Sequence, residues 1–248
     1  MVVRERAVKL SARTKAEGGR NAYGALDVGV SAPATVALMT DDIQRLHAAW
    51  ARIEGWLREH APASAASLRS PASEEQIATV ENAIGYRFPP TLRAWYQLHD
   101  GVEDVVEGGA GNDFLPEQNG WLPLDIVQEQ YRLRTEGGFH GPGAIPFCYR
   151  TGDGWWGYYV EAREGEPSYG NLGAWSADSA NEPYPYGTNG WPLADWLDEI
   201  ASSIEERRCL QHPDGSEDAD AHPALSDGGL IWADPDDLPD DAQLLRDV

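Results

Sequence analysis

Asp153 stands between Gly152 and Gly154, and Trp155, Trp156, Tyr158 and Tyr159 follow directly in the run "GDGWWGYYV". Those residue types suit two kinds of chemistry. A carboxylate beside indoles can serve as acid or base on a carbohydrate or other polar molecule, provided a second carboxylate lies about 5 to 9 Å away across a cleft. The same set can instead form a protein contact, because Tyr and Trp offer large rigid contact area and a nearby acid selects a basic partner. The plainer alternative is a turn-capping Asp153 at the entrance of an aromatic strand. Strand side chains alternate between faces, so Trp155 and Tyr159 cannot share a face with Trp156 if pairing is regular. One face then builds a core while the other is left to recognise something.

Other catalytic constellations are missing from the sequence. The six histidines form no HExxH pattern, and Cys148 and Cys209 are far apart without zinc-ligand spacing. There is no GxSxG elbow for a serine nucleophile and no GxxxxGK[ST] loop for a phosphate. Asp234, Asp236 and Asp237 lack the spacing of an EF-hand loop. No catalytic, cofactor-binding or metal-ligating residue is assigned, and the expectation is a non-enzyme without a cofactor. The candidate protein-binding set is Asp153, Trp155, Trp156, Tyr158 and Tyr159.

Amphipathic helices and short strands have to position that set. Ile43, Leu46, Trp50, Ile53 and Leu57 recur at helical spacing, and Trp50 reads as core. The segment 61–72 reads as a loop that closes on Ser73 and Gln76, the signature of a capping box before Ile77, Val80 and Ile84. After Gly85, Pro90 opens a short helix carrying Leu92, Trp95 and Tyr96, with Gly101 as its left-handed end. Asp125 reads as the N-cap of a further helix, with Gln128 three residues on. "AIPFCYR" and "WWGYYV" read as paired strands around "TGDG", a third strand lies near 169–175, and 176–190 reads as a loop. Leu193, Trp196, Leu197, Ile200 and Ile204 make the stripe of the last helix. "NGWLPLD" and "NGWPLAD" repeat helix-start chemistry rather than a domain. Helices flanking short strands give an α+β class, with a small mixed or antiparallel sheet.

Charge divides the chain. Residues 1–39 hold six Arg/Lys against three Asp/Glu, including both lysines of the protein, whereas residues 40–248 hold 13 against 38. The first stretch reads as a disordered leader or as sequence ahead of a later start. Residues 40–210 read as one folded domain, and 211–248 as an acidic tail in which Leu230, Ile231 and Trp232 offer an edge strand or clasp. A formal net charge of −22 repels nucleic acid and anionic membranes and favours a basic protein partner. No apolar run reaches the roughly 18 residues of a membrane span. The two isolated cysteines fit a reducing compartment, and the expected location is cytoplasmic.

The string Glu81, Gly85, Phe88, Pro89, Leu92, Tyr96 and His99-Asp100-Gly101 resembles the SMI1/KNR4 family of the SUKH superfamily, as do Ile145-Pro146, Asp153-Gly154 and "WPLADWLDEI". The resemblance covers approximately residues 43–205. A later strand aspartate of the family is replaced here by Tyr158 or Tyr159. The resemblance implies a single α+β domain that binds proteins without catalysis. It further implies a bacterial immunity protein that neutralises a toxin, with an intracellular regulator or scaffold of the fungal type as alternative. A carbohydrate-acting enzyme built on Asp153 is the third reading.

Overall fold

The computed structural model describes residues 32–105, 111–138, 141–152, 154–177 and 179–247, with side chains from residue 40 onward except at 179 and 180. Asp153 and residues 1–31 of the expected leader lie outside the described residues. Helix α1 (Ala32–His60) carries its stripe as the periodicity requires: Leu46, Trp50, Ile53 and Leu57 are all buried. The segment expected as a loop holds α2 (Pro62–Ser67), an Ala-rich turn with proline at its first position, where the missing amide donor costs nothing.

Helix α3 (Glu74–Ile84) begins in the expected capping box. Gln76 N donates to Ser73 Oγ at 3.2 Å and Ser73 N donates to Gln76 Oε1 at 2.8 Å. It ends at Gly85, whose φ of +80° is the left-handed cap a glycine supplies cheaply. Helix α4 (Pro90–Tyr96) follows at once, and a buried carboxylate ties the corner together. Glu81 accepts from Arg87 Nη1 at 2.7 Å, Phe88 N at 3.0 Å and Arg93 Nη1 at 2.8 Å.

Two expected caps are corrected. Strand β1 (Asn119–Trp121) leads into α5 (Leu124–Glu136), whose N-cap position is Pro123, and Asp125 lies in the first turn. The cap comes from elsewhere in the chain: Leu124 N donates to Asp100 Oδ1 at 2.9 Å. Gly101 does not end α4, which stops at Tyr96. It instead passes the Leu122–Pro123 backbone so closely, at φ +69°, that a Cβ would lie 2.6 Å from Leu122 C. His99 completes this junction, with Nδ1 2.7 Å from Arg69 O and Nε2 3.1 Å from Glu54 Oε1.

The main sheet is antiparallel. Strand β2 (Ala144–Pro146) pairs with β4 (Trp156–Glu161), while β3 (Cys148–Arg150) turns away after Phe147 to pair with β1. Strand β5 (Asn171–Ser176) lies beyond β4, followed by β6 (Ser179–Pro183), which occupies part of the expected loop, and β7 (Trp191–Pro192) also pairs with β5. Helix α6 (Leu193–Glu206) buries Leu193, Trp196, Leu197, Ile200 and Ile204. It packs along α1, where Arg52 binds Asp198 and Glu205, each at 2.6 Å. At the centre Trp95 stacks on Trp121 at 4.1 Å, with Trp50 edge-on to both.

The acidic C-terminal stretch, expected as a solvated extension with a clasp, is folded onto this body. After the small ladder of β8 (Leu210–Gln211) with β9 (Glu217–Asp218), strands β10 (His222–Ser226), β11 (Gly229–Ala233) and β12 (Gln243–Leu244) form a separate sheet in the order β11-β10-β12. Its apolar residues fix it in place. Leu230 and Trp232 are buried, Leu230 N donates to Ser64 Oγ at 2.9 Å and Trp232 Nε1 donates to Phe114 O at 2.8 Å.

Candidate functional site

Alternation along β4 sorts the aromatic run onto two faces. Trp156 and Tyr158 share one, with ring centroids 4.6 Å apart at 73°. Tyr158 is fully buried, 4.9 Å from Tyr184 and 5.4 Å from Trp196 of α6. The backbone beyond β6 brings Tyr184 there, its N–H donating to Leu172 O at 3.0 Å. Tyr184 lies 6.4 Å from Tyr186, which is 62% exposed, and 5.4 Å from His212. An aromatic ladder therefore runs from half-buried Trp156 through the sheet face to the exposed Tyr186.

A carboxylate is held against the middle of this ladder. Glu117 and Gln118 follow Pro116 with φ of +60° and +58°, a left-handed conformation that two consecutive non-glycine residues adopt only when their surroundings force it. The forcing contacts are present: Leu115 and Asn119 exchange backbone hydrogen bonds at 3.1 and 3.2 Å, and Asn119 Nδ2 donates to Pro116 O at 2.7 Å. The result aims Glu117 at the rings, and Tyr158 Oη donates to Glu117 Oε1 at 3.3 Å.

Burial pushes the Glu117 carboxyl up to about 7, and the acids Asp218 and Asp220 push the same way, against the Tyr158 hydrogen bond and Arg150. Burial also raises Asp218. Burial and the neighbouring acids thus favour the neutral form of Glu117 over what it would hold in water. Beyond His212 a cleft of about 410 Å³ continues the acidic surface, lined by Trp191, Asp195, Asp198, Glu199 and Asp214 with Arg45.

The remaining residues of the expected set are distributed differently. Trp155 precedes the strand and is 61% exposed, its carbonyl accepting from Ala177 N at 2.7 Å. Tyr159 is buried on the opposite face over Gly173, and burial raises its hydroxyl to about 12. Tyr158 and Tyr159 thus support the surface from inside rather than forming it. On the Tyr159 face, Arg134 of α5 stacks its guanidinium 3.2 Å from the Trp175 ring centroid, and burial lowers it to about 10. Glu117, Tyr184, Tyr186 and His212 are absent from the sequence-derived set. The only local signal for them is the density of tyrosine in "PYPYG", since nothing in "LPEQNG" announces a left-handed glutamate.

Among the described residues no group of three or more His, Cys, Asp or Glu is placed to hold a metal ion. No helix among them is long and apolar enough to cross a membrane.

The sequence profile of the SMI1 / KNR4 family (SUKH-1) matches residues 71–206. The KNR4/SMI1 homolog of Kluyveromyces lactis is 40% identical over 85 residues, 34% of this chain and 16% of that protein. The cell wall assembly regulator SMI1 of Saccharomyces cerevisiae is 32% identical over 65 residues, 26% of this chain and 13% of that protein. F-box only protein 3 of Homo sapiens is 29% identical over 108 residues, 44% of this chain and 22% of that protein. The matches thus span less than a third of each of these relatives. These proteins are fungal and mammalian, and none carries a name pointing to toxin neutralisation. The expectation of a bacterial immunity protein, which rested on one branch of the resemblance, is corrected accordingly.

Proposed function

The chain belongs to the SMI1/KNR4 family, whose profile covers more than half of its length, and on that premise we propose that it is a non-catalytic regulatory or scaffold protein that works by binding another protein. The observation that carries the reading is the aromatic ladder ending in Tyr186, set beside an acidic cleft on a strongly acidic body. Exposed aromatic rings next to carboxylates suit a protein contact: the rings supply buried area and the charge steers a basic partner. Trp155, Trp156 and Tyr186 are the contact residues in this reading, with Tyr158 and Tyr159 as their support. A reducing, cytoplasmic setting fits the free, buried thiols of Cys148 and Cys209.

The test is affinity capture from the source cells with the tagged full chain, identification of what is retained, and repetition with a Trp155→Ala/Tyr186→Ala variant. One partner should be retained by the parent protein, released as salt is raised and lost from the variant. A partner held equally by both proteins would move the contact elsewhere.

A further inference from the structure

We infer that the cleft between α3 and α5 is a receptor for one cationic side chain, lysine or arginine, of a partner protein, built from residues other than those of the aromatic contact. The cleft measures about 420 Å³ and is lined by Arg69, Glu75, Val80, Asp100, Leu124 and Asp125. That size falls within the range of ligand-binding clefts, about 300 to 1,000 Å³. One carboxylate oxygen in it lacks a donor. Asp100 is only 7% exposed, and its Oδ1 is taken by Leu124 N at 2.9 Å. Its Oδ2 is not sealed from solvent and makes no hydrogen bond among the described residues, the Arg69 Nη2 atom being 3.7 Å away.

The single guanidinium here is spread over three acids and closes a bond with none. Arg69 Nη2 lies 3.7 Å from Asp100, Nε lies 3.7 Å from Glu103 and Nη1 lies 3.6 Å from Asp125, all beyond the roughly 2.7 to 3.2 Å of an N–H···O bond. Glu75 adds a fourth carboxylate from the first turn of α3. Burial raises the Asp100 carboxyl against the pull of the Leu124 amide and Arg69, and Asp125 and Glu103 push the same way as burial, so the positive charge present does not compensate the set. A second cation supplies what is missing: N–H donors for Asp100 Oδ2 and charge for Asp125 and Glu75. An anion would meet four carboxylates, and a neutral donor could bond Oδ2 while leaving the excess charge in place.

The probes are acetyl-Gly-Arg-Gly-amide, its lysine counterpart and its citrulline counterpart, which keeps the arginine shape and N–H donors without the charge. They are titrated into the full chain while the Leu124 backbone amide, bonded to Asp100, is followed by NMR. The two cationic peptides should shift that signal saturably, weaken as salt is raised, and bind at least about tenfold more tightly than the citrulline peptide. Glu75→Gln/Asp125→Asn alters two exposed acids outside the core and should weaken binding several-fold. Asp100→Asn keeps an acceptor for Leu124 N and should abolish binding, whereas Tyr186→Ala should leave it unchanged; should Asp100→Asn fail to fold, the double variant decides. Equal affinity for the citrulline peptide, binding undiminished by the loss of Glu75 and Asp125, or binding lost in Tyr186→Ala would overturn the receptor. Partner capture separates this site from the aromatic contact. A partner retained by the full chain while the peptides fail removes the receptor and leaves the protein-binding reading standing.

Discussion

The ring of Tyr159 lies directly on the backbone of Gly173, its antiparallel partner in β5, so closely that a Cβ at position 173 would fall 2.1 Å from Tyr159 Cζ. A cross-strand pair of this kind fills the gap a glycine leaves in a sheet and fixes which way the aromatic run faces. Gly173→Ala should therefore displace the ring and destabilise the fold by about 1 to 3 kcal/mol, the usual cost of overpacking. Urea unfolding measures it. The same substitution made in a Tyr159→Ala background should cost much less, because the clash is gone; equal costs in both backgrounds would mean that the ring is not the obstacle.

Glu81 holds the α3–α4 corner from inside. Its side chain is 1% exposed and receives Arg87, Arg93 and the Phe88 amide. Losing this acceptor leaves the buried Phe88 amide unpaired, while Arg87 is exposed to water and Arg93 keeps Glu74, so Glu81→Ala should lose about 1 to 3 kcal/mol in chemical denaturation. Asp100 makes the analogous tie to α5. Asp100→Ala should cost about 1 kcal/mol, as the loss of a helix cap does, and the fraying should appear as faster amide exchange in the first turn of α5.

These two acids explain why the fold is legible in the sequence. The string from Glu81 to Gly101 resembles the family because its members build the architecture, as a buried clamp, a left-handed cap, a proline corner, a distant helix cap and a close backbone passage. The stripes of α1 and α6 are readable for the ordinary reason that one face of each is buried. What cannot be read depends on contacts distant in sequence. Asp125 has the right neighbours for an N-cap, yet Asp100 supplies the bond. The ladder is half visible, since alternation places Trp156 opposite Tyr159, but the arrival of Tyr184 and Glu117 beside Tyr158 is a matter of tertiary packing. In the acidic tail the apolar run Leu230, Ile231 and Trp232 is readable as a strand or clasp, whereas its pairing with β10 and its bonds to Ser64 and Phe114 are tertiary.

Those anchors make a prediction of their own. Trp232 is 1% exposed and its indole N–H is bonded to Phe114 O, which lies in the segment leading to Glu117. Trp232→Ala should cost about 3 to 5 kcal/mol as a large-to-small core change. Removal of residues 220–248 should likewise lower the thermal midpoint of the remaining domain and uncover Leu115 and Phe114, seen as binding of a hydrophobic dye. A truncated chain as stable as the full one would show that the C-terminal sheet is an appendage.

The raised carboxyl of Glu117 links stability to pH with a definite sign. Its folded value, about 7, lies above the ordinary 4.5, so the folded state holds the proton more tightly than the unfolded chain does. The stabilisation this gives is complete below about pH 4.5, declines as pH rises and is lost above the folded value near 7. Glutamine keeps the shape and an acceptor for Tyr158 but cannot ionise. Glu117→Gln should therefore gain about 2 kcal/mol on the parent protein between pH 5 and pH 8, read from urea unfolding of both proteins at the two pH values. Asp113, whose shift comes from burial and not from Glu117, remains in both proteins and cancels in the comparison. A stability difference that stays constant over that range would mean that Glu117 is ionised in both states, and the carboxylate would then be more open to water than its position against Tyr158 implies.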